Sequence, residues 1–170
     1  MIIRPATLKD IEPIMHLVGG IVPAMRASGN FQWDDTYPNT AVFTGDVELG
    51  QLWVAVIDGT VAGFAAITTD QEPEYVGVGW DINEAAIVVH RLAVGVHYRR
   101  QGIAEALLKQ AEIVANNLDI SVLRIDTNSN NNATRQLFPK LGYEYAGEIG
   151  LSFRPNLRFY CYEKKLGPSV

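Results

Sequence analysis

Several features that would indicate a particular class of protein are missing from this chain. One cysteine among 170 residues, Cys161, excludes an internal disulfide and favours a reducing, cytoplasmic compartment. No apolar run reaches transmembrane length, so no membrane partner is expected. No long apolar segment follows Met1–Pro5, so we expect no signal peptide. The formal net charge of -5 argues against nucleic acid as a main partner, because phosphate binding needs a basic surface.

Histidine is also scarce. His16, His90 and His97 have no metal-ligand spacing relative to each other or to Cys161, so no metal site is expected. What remains is an ordinary globular composition, with 48% hydrophobic residues. The length suits one domain over residues 1–170, and the chain shows no internal repeat, low-complexity tract or linker.

The middle of the chain changes from an apolar run to a short basic loop. Residues 85–94 are mostly apolar and β-branched, which is typical of a central strand covered on both faces. Two arginines and a glycine follow in residues 99–102. Apolar residues then recur at the three- and four-residue steps of an amphipathic helix: Ile103, Ala104, Leu107, Leu108, Ala111 and Val114.

A strand, a basic loop and a helix start together predict an anion site. The first N–H groups of a helix lack intrahelical partners, and the helix dipole there favours negative charge. Gly102 and Ala104 leave room for a polyphosphate on the backbone, and Arg99 and Arg100 can add charge-assisted hydrogen bonds. The alternative interpretation is a basic helix cap that binds no ligand.

This loop resembles a signature of the GNAT N-acetyltransferases. That family holds the pyrophosphate of acetyl-CoA with the pattern (Gln/Arg)-x-x-Gly-x-(Gly/Ala), which six residues fit: Arg99, Arg100, Gln101, Gly102, Ile103 and Ala104. The preceding residues Leu92, Ala93 and Val94 are similar to the cofactor strand of the family. The resemblance implies that all nine residues bind acetyl-CoA, and that a backbone N–H of residues 92–94 meets the thioester oxygen.

A second resemblance lies in residues 131–143. The family motif there is commonly Asn-x-x-Ala-x-x-Leu-Tyr-x-Lys-x-Gly-Phe. By spacing, Asn131 falls on the asparagine whose side chain contacts the CoA arm. Four further residues match the motif: Leu137, Lys140, Gly142 and Tyr143.

Three residues depart from that motif. Thr134 stands where alanine is usual, and Pro139 lies inside the expected helix, where it removes a hydrogen bond. Phe138 replaces the tyrosine that often protonates the departing thiolate. The resemblance therefore places Phe138 beside the cofactor, but a phenylalanine has no proton to donate.

The resemblance also suggests a general base. In several relatives this base is a glutamate on the cofactor strand, and the alignment puts His90 at its position. Side chains alternate along a strand, so His90, Leu92 and Val94 are expected on one face. A neutral imidazole can accept a proton directly or through water. The alternative for His90 is a packed side chain satisfied by a backbone carbonyl. Glu84, just before the strand, is the second candidate base.

The candidate general acids are tyrosines near the end of the chain. The last strands flank the thioester in relatives, which makes Tyr160 and Tyr162 candidates, and we name Tyr162 first. Two tyrosines in a strand are more often packing residues. No cysteine lies near the motif, which disfavours an acyl-enzyme and favours direct transfer in a ternary complex.

Two other segments could border an acceptor. Gly29–Asn39 holds three aromatics and is either a small satellite core or one wall of a substrate site, and the resemblance makes Trp33 the candidate wall residue. Residues 68–84 carry five acidic residues and no lysine or arginine. We expect a flexible, solvated insertion there, and the alternative is a lip that attracts a cationic amine.

The remaining segments predict an α/β fold. A first strand over residues 2–4 precedes a helix capped by Thr7, a break at Gly19-Gly20 and a second short helix, Ile21–Ala27. A helix beginning at Asn39 or Thr40 and ended by Gly50 follows. Next come a hairpin around Asp58-Gly59 and, near the end, two strands with a turn at residues 154–156.

These patterns, with the resemblance, imply one GNAT-like domain: a central mixed, splayed β-sheet with helices on both faces. The function implied is an N-acetyltransferase that moves an acetyl group from acetyl-CoA to a primary amine of a small molecule or peptide. The alternative is a non-catalytic acyl-CoA sensor with the same fold. GNAT proteins are frequently dimers, so the resemblance also allows a homodimer. A dinucleotide-binding module is disfavoured, because the glycine fingerprint and its later acidic residue are absent.

Overall fold

The computed structural model describes residues 1–168. In that part of the chain, 3₁₀ helices cover Leu8–Asp10, Pro73–Val78 and Val96–Tyr98. The α-helices are α1 (Ile11–Ala27), α2 (Thr40–Glu48), α3 (Ile103–Asn117) and α4 (Asn132–Lys140). The strands are β1 (Ile2–Pro5), β2 (Leu52–Ile57), β3 (Thr60–Thr68), β4 (Ile87–Val94), β5 (Val122–Asn128), β6 (Glu144–Leu151) and β7 (Arg154–Lys165).

The seven strands form one sheet in the order β1-β2-β3-β4-β5-β7-β6. Strands β4 and β5 are parallel, with Ile87 opposite Leu123 and Val88 opposite Arg124. The β1–β2, β2–β3, β5–β7 and β6–β7 pairs are antiparallel. Helix α3 connects the two parallel strands, as a parallel pair requires a crossover. The α/β class and the mixed sheet predicted from the sequence are confirmed.

By internal contacts the chain forms two compact units. The first unit combines Met1–Ile67 with His90–Gln110, and the second combines Thr68–Val89 with the chain from Ala111 onward. Strand β4 therefore begins in the second unit and ends in the first, and each unit is described by itself.

The core of the first unit is built from α1, α2 and the hairpin strands. The ring of Phe64 lies edge-on to Phe43 at 5.2 Å and parallel to Trp33 at 6.3 Å. The hairpin turn is as predicted, because Asp58 and Gly59 both have positive φ, 49° and 80°, which suits the twist of the flanking strands. Asn39 caps α2 as predicted, since its Oδ1 accepts the Val42 N–H at 3.0 Å.

Helix α1 corrects one prediction. It is a single helix of 17 residues that continues through Gly19-Gly20, where the sequence suggested a break, and through Pro23. The glycines lower helix propensity but do not forbid the helix, and burial outweighs that cost. One buried stripe continues along its length: Ile11, Ile14, Val18, Ile21 and Val22.

The second unit corrects the prediction of a flexible acidic insertion. In residues 68–86, the side chain of Tyr75 is fully buried and Trp80 is 9% exposed. The Tyr75 hydroxyl donates to Asp126 Oδ2 at 2.6 Å, and burial raises the pKa of this phenol well above its usual value. The segment is thus anchored on β5 by Tyr75. Its buried aromatic residues belong to the hydrophobic core, which the acidic composition of the segment did not indicate.

The final hairpin and α4 also differ from expectation. Arg154 and Pro155 belong to β7, so the turn lies at Ser152 and Phe153 rather than at residues 154–156. Pro139 is tolerated inside α4, which continues to Lys140. The proline lies in the last turn of the helix, where the loss of one backbone hydrogen bond interrupts little of it.

Candidate functional site

The basic loop before α3 has the backbone of an anion site. Arg100 and Gly102 have left-handed φ values of 61° and 78°, and left-handed residues occur in the backbone nests that bind anions. The Gly102 carbonyl accepts the first helical hydrogen bond, from Ala106 N–H at 3.0 Å. The N–H groups of Ile103, Ala104 and Glu105 consequently have no acceptor within the helix.

The surroundings of the loop fit an anionic ligand. Arg99, Arg100 and Gln101 are exposed, so both guanidinium charges are accessible. A Cβ built at Gly102 would have no other described atom within 4 Å apart from its chain neighbours, which leaves open space over the backbone. Ile103 is buried and anchors the start of the helix in the first unit. Free N–H groups, two cations and an open cradle match a pyrophosphate.

Gly63, which sequence reasoning did not single out, lies close to both the start of α3 and β4. A Cβ at Gly63 on β3 would lie 2.8 Å from Ile103 Cγ2 and 3.0 Å from the Ala93 carbonyl oxygen. Only a residue without a side chain fits there. The Gly95 N–H donates to the Ala62 carbonyl at 2.8 Å, which holds the end of β4 on β3.

The backbone of β4 departs from regular strand geometry at Arg91. Its φ of 53° lies in the left-handed region, which is unusual for a residue inside a strand. Strand alternation cannot be carried across such a residue, so it does not establish that His90 shares a face with Leu92 and Val94. His90, Leu92, Ala93 and Val94 are all half-buried in β4.

The side chain of Arg91 joins segments that are distant in sequence. Its Nε and Nη2 donate to Asp46 Oδ2 and Oδ1 at 2.8 and 2.7 Å, and its Nη1 donates to the Tyr37 hydroxyl at 3.2 Å. Burial alone would lower the pKa of Arg91, but the bonds to Asp46 and Tyr37 raise it above its usual value. The guanidinium is therefore a permanent cation inside the first unit.

The side chain of Tyr37 links the aromatic loop to β4 through its hydrogen bond with Arg91. Trp33 is 4% exposed and belongs to the core, and its carbonyl accepts a hydrogen bond from Arg26 Nη1 at 3.2 Å. Its role at an acceptor stays a prediction, but its ring is packed among core residues. Phe31 is 46% exposed and lies under the Arg26 guanidinium, 4.8 Å from its carbon.

Glu84, the second candidate base, lies in the other unit and is held by an arginine. Its Oε1 accepts a hydrogen bond from Arg124 Nη2 at 2.8 Å. The Arg124 side chain is 2% exposed and also donates to Glu163, Gln71 and the Asp81 carbonyl. A carboxylate in such a network stabilises a buried cation, and a role as base would compete with that ion pair.

Asn131 and Thr134 both form hydrogen bonds at the start of α4. Asn131 is the N-cap, because its Oδ1 accepts the Thr134 N–H at 3.2 Å. The Thr134 and Thr127 hydroxyls are 2.7 Å apart and hydrogen-bonded, which joins the helix to β5. The departure from alanine at position 134 thus adds a helix–strand contact.

Phe138 and Tyr162 pack against each other in the second unit. Phe138 is 1% exposed, and its ring lies 5.4 Å from that of Tyr162. Tyr162 lines a cavity of about 450 Å³ together with the following residues: Asn132, Arg135, Gln136, Tyr145 and Tyr160. Burial raises the pKa of Tyr162, while Arg135 acts in the opposite direction. The phenol therefore keeps its proton near neutral pH, as a general acid requires.

The single thiol is not placed for nucleophilic chemistry. Cys161 is fully buried in a core cluster with Tyr75 and Phe159. Burial raises the pKa of its thiol far above the usual value, and Asp126 adds to this effect. A thiol that stays protonated and buried is a poor nucleophile.

The described residues contain neither a cluster suited to a metal ion nor a helix suited to a membrane. Over residues 1–168, no cluster of three or more histidine, cysteine, aspartate or glutamate side chains has the arrangement of a metal site. In the same range, no helix combines the length and the apolar character needed to cross a membrane.

Comparisons with known proteins agree with this geometry. A family model described as Acetyltransferase (GNAT) family matches residues 22–143. The chain is 27% identical over 146 residues to the uncharacterized N-acetyltransferase YesJ of Bacillus subtilis (strain 168), and this match covers 84% of the chain and 81% of the relative.

Solved structures show the same fold. A GNAT-family acetyltransferase from Streptococcus agalactiae 2603 is similar with a TM-score of 0.83 and 26% identity, over 98% of this chain and 96% of that one. The structure of yncA from Salmonella typhimurium, solved with acetyl-CoA, is similar with a TM-score of 0.72 and 19% identity. That match covers 100% of this chain and 96% of yncA.

Proposed function

The chain belongs to the GNAT family of acetyltransferases, and from this premise we propose that it transfers an acetyl group from acetyl-CoA to a primary amine. The acceptor amine attacks the thioester directly while both substrates are bound. One observation carries the proposal: the basic loop ends in an open, left-handed glycine at the start of α3. Acetyl-CoA supplies the activated acetyl group, and the protein supplies binding, orientation and proton transfer.

We assign binding to the loop and the cofactor strand. The N–H groups at the start of α3, with Arg99 and Arg100, hold the pyrophosphate. A backbone N–H of residues 92–94 meets the thioester oxygen, where negative charge develops as the amine attacks. The Asn131 side chain contacts the CoA arm. YncA, which was solved with acetyl-CoA, has the same fold and supports this choice of cosubstrate.

We assign proton transfer to His90 and Tyr162. His90 accepts the proton of the attacking amine, and Tyr162 protonates the departing thiolate, since Phe138 has no proton to give. Glu84 is the second candidate base. A loss of turnover in His90→Gln that Glu84→Gln does not share assigns the base to His90, and the reverse result assigns it to Glu84. Near-normal turnover in both variants would exclude both residues as the general base and leave solvent in that role.

We also propose that the activity resides in one domain over residues 1–170 and, on the basis of the single cysteine, in the cytoplasm. A homodimer is compatible with this function, and analytical ultracentrifugation would detect it.

The second candidate function is a non-catalytic acyl-CoA sensor. Phe138 favours it, because this buried ring occupies the position of the usual acid. A sensor would bind acetyl-CoA without releasing free thiol when an amine is added.

The cofactor loop can be tested with a matched pair of glycine variants. Gly102 and Gly50 both have positive φ, 78° and 68°, and a Cβ at either position meets open space. Alanine at each position therefore carries a similar backbone strain of about 1 kcal/mol. We expect Gly102→Ala to weaken acetyl-CoA binding about tenfold or more in calorimetry, because its methyl group occupies the cradle of a charge-assisted phosphate contact. Gly50→Ala keeps wild-type affinity. Equal affinities in the two variants would place the pyrophosphate elsewhere.

A further inference from the structure

Arg91 adopts a left-handed backbone conformation, which is sterically unfavourable for a residue that has a side chain. A left-handed φ of 53° costs a non-glycine residue on the order of 1–2 kcal/mol. Such a conformation persists only where the surroundings hold it. It lies between His90 and Leu92, which are the positions where the proposed function puts proton transfer and thioester recognition.

Arg91 is held by hydrogen bonds to Asp46 and Tyr37, and we call these three residues the clamp. Asp46 receives two hydrogen bonds from the guanidinium in a fork, and Gln51 Nε2 donates to its Oδ1 at 2.9 Å. The side chains of Arg91 and Asp46 are 16% and 5% exposed, so the ion pair is largely shielded from water and salt. A bidentate pair fixes orientation as well as distance.

The clamp connects the cofactor strand with two segments far away in sequence. Asp46 lies in α2, and Tyr37 lies in the aromatic loop before that helix. Both contacts stay within the first compact unit. Because the guanidinium is bonded to these partners, its effect on a reaction would pass through the backbone of β4 rather than through direct contact with substrate.

We propose that Arg91 is a positioning residue for acetyl transfer: the clamp holds the left-handed backbone that sets the direction of the next N–H groups, at Leu92 and Ala93. This inference rests on the proposed function, which assigns one backbone N–H of residues 92–94 to the thioester oxygen. The pyrophosphate loop lies further along the chain. The clamp therefore governs the acetylation step and not the affinity for CoA.

The experiment compares Asp46→Asn with a matched control elsewhere in the same unit. Asp10 forms an equivalent fork with Arg4, at 2.8 and 2.9 Å, and is also buried. Asp10→Asn thus removes a bidentate pair of the same geometry that lies outside β4, although its arginine, Arg4, is more exposed at 40%. For each protein we would measure kcat, the KM for acetyl-CoA, the affinity for CoA, and the infrared carbonyl band of bound acetyl-CoA labelled with ¹³C at the thioester carbon.

We expect Asp46→Asn to lower kcat about tenfold or more, since misaligning a donor to a developing oxyanion loses part of the roughly 10²–10³-fold that one donor supplies. Its CoA affinity stays within about twofold of wild type, and the labelled carbonyl band moves toward its position in free acetyl-CoA. Asp10→Asn keeps the wild-type kcat and band, whatever stability it loses.

Two results with the aspartate variants would overturn the inference. One is a wild-type band and kcat in folded Asp46→Asn. The other is a loss of kcat in Asp10→Asn as large as that in Asp46→Asn. Arg91→Lys provides a second route if Asp46→Asn does not fold, because lysine keeps the charge but cannot form the fork. Arg91→Lys with wild-type kcat and band also overturns the clamp. A wild-type protein that shows neither a band shift nor turnover overturns the proposed function and the clamp together.

Discussion

At the scale of single residues, Tyr143 and Tyr162 are two buried tyrosines that pack on Phe138, with ring distances of 5.8 and 5.4 Å. The Tyr143 hydroxyl is buried and has no hydrogen-bond partner among residues 1–168. Burial raises the pKa of Tyr143 far above its usual value, with a further contribution from Glu112. Tyr162, in contrast, lines the cavity that contains Arg135. The two phenols therefore make a matched pair for testing the general acid.

We expect Tyr162→Phe to lower kcat about a hundredfold, the usual range for loss of a general acid. Tyr143→Phe keeps the wild-type kcat and leaves the free energy of unfolding unchanged or raises it by about 1 kcal/mol, because it removes a buried hydroxyl without a partner. Steady-state thiol release and urea unfolding measure the two effects. A wild-type kcat in Tyr162→Phe would leave Tyr160 or water as the proton donor.

Sequence reasoning missed the residues whose structural role depends on partners that are distant in sequence. The left-handed backbone of Arg91 has no local signal, since glycine or asparagine is the usual marker. Its partners Asp46 and Tyr37 are 45 and 54 residues away. Sequence reasoning chose Trp33 from the aromatic loop, but the Trp33 ring packs on Phe64, and it is Tyr37 that accepts a hydrogen bond from Arg91.

At the scale of helices and strands, sequence reasoning correctly predicted the elements whose structure depends on neighbouring residues. The basic loop and the start of α3 were found from two arginines, a glycine and an apolar stripe, and the Asp58-Gly59 hairpin from its turn residues. The break in α1 was wrong because propensity at Gly19-Gly20 is a small cost, and core burial elsewhere in the helix exceeds it.

The connection between β1 and α1 gives a pH-dependent prediction. Hydrogen bonds from Arg4 lower the pKa of Asp10 below its usual value of 3.8, although burial opposes this. The folded state therefore binds this proton less tightly than the unfolded state does. The stabilisation is complete above about pH 4 and is lost as the pH falls through the lowered pKa of the folded state.

We expect Asp10→Asn to reduce the free energy of unfolding by at most about 1 kcal/mol near neutral pH, because Arg4 is 40% exposed and solvent screens the pair. The difference from wild type shrinks as the pH falls below about 4, where Asp10 becomes neutral as well. Urea unfolding of both proteins across this range measures it. A difference that stays constant through acid pH would show that the charge of Asp10 does not stabilise the fold.

At the scale of the whole molecule, the sequence predicted the α/β class and the mixed sheet, because alternating strands and helices with one basic strand–loop–helix leave few other arrangements. It did not predict how the acidic segment is held. Arg124 is buried in β5, and it bonds Glu84, Gln71 and the Asp81 carbonyl of that segment and lies 4.9 Å from the Trp80 ring. A cation 40 or more residues away cannot be assigned to these partners from the charge pattern alone.

We propose above that this chain catalyses acetyl transfer from acetyl-CoA to an amine. The most direct test incubates the purified protein with acetyl-CoA and a panel of primary amines, quantifies free thiol, and identifies the product by mass spectrometry. Gly102→Ala and a reaction without amine serve as controls. We predict thiol release that depends on one class of amine, is matched by an equal amount of acetylated product, and is strongly reduced in Gly102→Ala. Tight acetyl-CoA binding without amine-dependent thiol release across the panel would contradict the claim and identify an acyl-CoA sensor.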